Sequence, residues 1–124
     1  MQDEDLFSVT QVGQCLVVTA GNDLGEQALA QLQRTALAQV SAHGLRAVVL
    51  DLAAVQVLDT HEFASLQSTA GMLRLLGAAT LFVGLRPAVI AYLMQADVDV
   101  SDVAAAPDLG AALDRVAAGH LLRP

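Results

Sequence analysis

Between Arg46 and Leu52 the chain reads RAVVLDL, and from Ala47 to Leu50 it offers no polar side chain. A strand with one face in water alternates apolar with polar residues. A strand apolar at every position is covered on both faces, as central parallel strands are when crossover helices lie against their sheet. The preceding segment supplies one such helix. Asn22 or Asp23 can cap its N-terminus, Leu24, Ala28, Leu32, Ala36 and Val40 recur every four residues, and Gly44 stands where a left-handed stop belongs.

The remaining elements follow from changes of hydrophobic period. Leu6 to Val12 roughly alternates, Gly13-Gln14 reads as a tight turn, and Cys15 to Thr19 is apolar and β-branched, which predicts a two-stranded hairpin. A second helix begins at Asp59-Thr60, and Ala79 to Val83 forms another strand. Pro87 opens a short apolar helix from Ala88 to Gln95. Val98-Asp99-Val100 reads as a brief extended piece, and an amphipathic helix from about Pro107 to Ala118 stops at Gly119. The pattern predicts a single α/β domain over residues 1–124. Its mixed sheet should have about four to five strands, with about four helices packed mainly on one face.

Composition removes whole classes of function. A chain of 124 residues builds one core. Although 55% of it is hydrophobic, its apolar runs fall well short of the ~20 residues that span a bilayer. The acidic start Met1-Gln2-Asp3-Glu4-Asp5 lacks the basic region of a secretory signal, so a cytoplasmic location without a membrane partner is expected. Thirteen Asp and Glu against six Arg give a net charge of −7, which disfavours nucleic acid. With no Lys there is no phosphate-loop lysine, Schiff base or Ser-Lys dyad. His43, His61 and His120 are not spaced as metal ligands, and the lone Cys15 packs as a small hydrophobe, so no metal or cofactor and no enzyme activity are expected.

The polar tetrapeptide Asp59-Thr60-His61-Glu62 then stands out. With Asp59 as N-cap, Glu62 falls three residues into the helix and the two form a capping box, while Thr60 takes the first helical position with its hydroxyl outward. On a helical wheel Phe63, Leu66, Ala70 and Leu73 make the core stripe. Thr60, Ala64, Ser68, Gly71 and Leu75 make a second, mostly small-residue stripe. This second face, with Asp59, His61, Met72 and Leu75 adding contact area, is the candidate surface for a protein partner.

Blander roles suit the other polar residues. His61 diverges from Thr60 by about 100° on the helix and is read as exposed rather than as a base. Asp51 ends its strand and bonds a nearby amide, Arg86 is an exposed turn residue, and Ser65, Ser68 and Thr69 are spare hydroxyls.

The passage AVVLDLAAVQVLDT, the later LLGAATLFVGLRPAV, the order of elements and the acidic balance together resemble the STAS family, the sulfate-transporter and anti-sigma-factor-antagonist fold, over nearly the whole chain. The likeness is nearest to its short stressosome-scaffold branch, from which His61-Glu62 and Val83 depart, since relatives there are often more apolar or carry Thr. The resemblance implies a non-catalytic scaffold that sequesters a serine/threonine switch kinase (RsbT-like) and releases it when Thr60 is phosphorylated. It also implies assembly, as a homodimer or larger particle, with longer STAS-domain sensor relatives (RsbR-like). A nearer alternative is a SpoIIAA-type antagonist that binds an anti-sigma kinase directly. A farther one is a domain that binds a small ligand or nucleotide.

Overall fold

In the computed structural model, which describes residues 7–22, 24–100 and 103–119, the two-sided strand sits at the centre of the sheet. The hairpin is β1 (Phe7–Val12) and β2 (Cys15–Ala20), followed by α1 (Glu26–His43), β3 (Ala47–Asp51) and α2 (Thr60–Leu75). Then come β4 (Ala79–Val83), α3 (Pro87–Gln95), β5 (Ala105–Ala106) and α4 (Leu109–Ala118). The strands lie in the order β1-β2-β3-β4-β5. Among the described residues only β1 and β2 pair antiparallel; β3 pairs parallel with β2 and β4, so that Val48 stands between Leu16 and Thr80.

Burial explains the unbroken apolar run. Leu16, Val18, Val48, Leu50 and Phe82 face α1, α2 and α3 through Leu32, Ala36, Phe63, Leu66, Val89 and Leu93. Cys15, Val17, Val49, Leu81 and Val83 face the other way and are covered by Ala112 of α4. Three helices on one face and one on the other is the expected mixed-sheet α/β arrangement. The rings of Phe63 and Phe82, with centroids 5.9 Å apart, seat α2 on β4.

Local boundaries differ in places. The helix α1 starts at Glu26 with Gly25 as its N-cap and no side-chain cap, not at Asn22. Leu24 is drawn into the core ahead of the helix, which delays the first turn. The alternative cap Asp23, residues 1–6 and His120 lie outside the described residues. Val98 to Val100 is not a strand: the Val98 amide bonds the Leu93 carbonyl at 3.0 Å, closing off α3. The fifth strand is instead the two-residue Ala105–Ala106, too short to leave a hydrophobic period. The helix α4 begins at Leu109 rather than Pro107, because Asp108 caps it through the Ala111 amide at 2.9 Å.

Burial pushes the Cys15 thiol above its ordinary value of 9.0, against a weaker downward pull from its hydrogen bond with the Val49 backbone. The folded chain thus disfavours the thiolate. The stability this contributes is full below about pH 9 and is lost as the pH rises toward the folded value, because the unfolded thiol ionises first. A thiol reagent at neutral pH should label Cys15 only on unfolding; fast labelling of the native chain contradicts this packing.

Candidate functional site

Because β3 and β4 run parallel, their exits meet at one end of the sheet. The Leu52 amide donates to the Val83 carbonyl at 2.8 Å, carrying the pairing one step past the end of β3. Asp51 then turns the chain, its Oδ1 accepting the Ala53 amide at 3.1 Å, the bond expected of it. Leu52, Val55 and Leu58 are buried and pin the loop that follows, while Val57 between them is 78% exposed.

The turn after β4 supports this loop from the side. Gly84 has φ +76° and lies so close that a Cβ built there would meet the Ala53 Cβ at 2.9 Å. Only glycine permits both the left-handed backbone and that approach. Arg86 is exposed, as expected, but its Nε also donates to the Ala53 carbonyl at 3.1 Å. Thus the GLRP motif props up the start of the loop that leads to the Asp-Thr junction, a connection that no local pattern displays.

At the junction the capping box is complete. Asp59 Oδ1 accepts the Glu62 amide at 2.7 Å, and Glu62 Oε1 accepts the Asp59 amide at 2.9 Å. The two carboxylates satisfy free donors at the positive end of α2 and hold its first turn. Thr60, at the first helical position, is exposed, as are Asp59 and His61. Beside them an open groove of about 340 Å³ runs between the loop and α3, lined by Gln56, Val57, Leu58, Asp59, Ala88, Val89 and Tyr92. On α3, Tyr92 and Met94 are also exposed. Sequence reasoning did not place this groove. Its available signal was PAVIAYLMQ, apolar all round, of which only Val89 and Leu93 are buried.

The candidate partner-binding residues Asp59, Thr60, His61, Ala64, Ser68, Gly71, Met72 and Leu75 are all exposed. They do not form one patch. Thr60 and Leu75 are the two ends of α2, roughly 22 Å apart at 1.5 Å per residue. Asp59 lines the groove and Thr60, His61 and Ala64 follow it in the first turns of α2, whereas Met72 and the 88%-exposed Leu75 sit with Leu76 at the far end. The core stripe also shifts by one residue. Thr69 is buried and Ala70 half-buried, because the Thr69 hydroxyl donates to the Ser65 carbonyl at 3.1 Å and accepts Gln33 Nε2 of α1 at 3.2 Å.

Among the described residues no group of three or more His, Cys, Asp or Glu is placed to hold a metal ion. None of their helices is long and apolar enough to cross a membrane.

The family model described as STAS domain matches residues 7–112. Among solved structures, a serine-to-glutamate variant of Moorella thermoacetica RsbS is similar at TM-score 0.79 and 24% identity, covering 92% of this chain and 97% of that one. Phosphorylated SpoIIAA, a Bacillus cell fate determinant, matches at TM-score 0.64 and 14% identity, covering 89% and 98%. The murine anion transporter Slc26a9 matches at TM-score 0.70 and 16% identity, over 88% of this chain but 18% of that one. No curated protein matches in sequence.

Neighbouring side chains at the junction do separate work, and stability separates them. Removing the cap with Asp59→Ala should cost about 1 kcal/mol in chemical denaturation. Thr60→Ala should stay within about 0.5 kcal/mol of the parent.

Proposed function

Because the chain belongs to the STAS family, we propose that it is a non-catalytic stress-signalling scaffold of the stressosome type, working in the cytoplasm. It binds a serine/threonine switch kinase (RsbT-like) where α2 begins and releases it when that kinase phosphorylates Thr60. The observation that carries this reading is the exposed Thr60 directly after Asp59, which lines a largely apolar groove, on a helix start that Asp59 and Glu62 already hold.

A phosphate on Thr60 brings about −1.5 to −2 charges to a helix N-terminus, where the dipole favours an anion and the fold survives. The same charge lies beside Asp59, Glu62 and the apolar groove. A partner seated there must desolvate the phosphate next to two carboxylates, a large penalty that phosphorylation alone switches on. Related folds support the reading: an RsbS solved with a serine replaced by glutamate, a stressosome described as a signal integration and transduction hub, and SpoIIAA solved with and without phosphate. In that scheme the chain assembles with longer STAS-domain sensor relatives (RsbR-like).

The SpoIIAA likeness favours one rival, an antagonist that binds an anti-sigma kinase directly, and particle mass separates the two. Complexes captured with the proteins encoded beside this chain should be far larger than a dimer for the scaffold and dimer-sized for the antagonist. Thr60→Ala should retain the kinase, and Thr60→Glu should weaken its capture by more than about tenfold with unchanged thermal stability. Equal capture by all three forms leaves Thr60 with no role beyond its helix turn.

A further inference from the structure

A second cavity, of about 210 Å³, lies beneath the middle of α2. Gln67, Ala70, Gly71 and Arg74 share one face of that helix at i, i+3, i+4 and i+7, and they roof the space. Thr80 and Phe82 of β4 line the opposite wall, beside Val103. Apolar cavities of ~150 Å³ already admit benzene, so the volume suits a ligand of several heavy atoms.

Among the described residues two threonines are buried, and they are treated differently. Thr69 has both a donor and an acceptor partner. Thr80, only 7% exposed, has an Oγ1 that is buried with no partner at all. Valine has nearly the same shape and would fill that place without stranding a hydroxyl, so structure alone gives no reason for threonine.

The other polar groups at the cavity also have free capacity. Among the described residues the Arg74 guanidinium has no partner, and Gln67 Nε2 makes only a long 3.4 Å bond to the Asp99 carbonyl. A guanidinium, a hydroxyl and an amide supply donors and match a carboxylate, while Phe82, Val103 and Ala70 match a short hydrocarbon tail. We propose that this cavity binds a small organic monocarboxylate, its carboxylate held by Arg74 and Thr80 and its tail packed on Phe82 and Val103. The site is separate from Thr60, and its test does not depend on the kinase.

The test is a titration of the full ¹⁵N-labelled chain with butyrate, alongside inorganic phosphate and sodium chloride at matched ionic strength. Butyrate should give saturable amide shifts at Gln67 to Arg74, Thr80 to Phe82 and Val103, up to about 50 mM, where a ligand of millimolar affinity saturates. Thr80→Val should weaken binding about tenfold while the unliganded melting temperature holds or rises, Thr80→Ser should keep affinity, and Arg74→Gln should lose it. The proposal is overturned by an absence of saturable shifts, by binding indifferent to both Thr80→Val and Arg74→Gln, or by phosphate or chloride binding as well as butyrate. A fall in melting temperature for Thr80→Val would show a structural hydroxyl and also overturn it.

Discussion

Burial of β3 on both faces governs this molecule. Ala47 to Leu50 cannot meet water on either side, so α1, α2 and α3 cover one face and α4 the other. The same burial makes β3 and β4 neighbours in parallel, which brings their exits to one end of the sheet. There Ala53 receives the close approach of Gly84 and the Arg86 guanidinium, and the supported loop delivers Asp59 to the start of α2. The position of Thr60 is therefore a consequence of sheet order, although the cap that surrounds it is a local affair.

What the sequence made legible was largely what is decided within a few residues. The capping-box partners stand three residues apart, the α1 stripe repeats every four, and each appears in the structure as its spacing implies. The misplaced features depend on partners far along the chain. Thr69 displaces Ala70 from the core because Gln33, thirty-six residues away, satisfies its hydroxyl. Leu24 is pulled inward before a helix can form, and β5 exists only as two alanines laid beside Phe82 and Val83. The groove was invisible for a related reason: α3 looks like a fully buried helix in sequence, and only the fold reveals that most of it is uncovered.

At the junction itself, work is divided among adjacent side chains. Carboxylates from Asp59 and Glu62 are committed to backbone amides, so the helix start does not need the Thr60 hydroxyl. A modification there changes the surface without undoing the fold, which a switch requires. Two sets of exposed apolar residues stand at opposite ends of α2. One, with Val57 and Tyr92, shares a groove with Asp59; the other, with Leu75 and Leu76, is too distant for a phosphate on Thr60 to act on directly given a screening length of about 8 Å.

The most direct test of the proposed switch is to ask whether a kinase phosphorylates this chain, and at which residue. The chain purified with its partner kinase and ATP should gain a single phosphate, mapped by peptide mass spectrometry to Thr60, and the modified chain should elute free of the kinase. A phosphate mapped instead to Ser65, Ser68 or Thr69, or a chain phosphorylated on Thr60 that stays bound, would contradict the account.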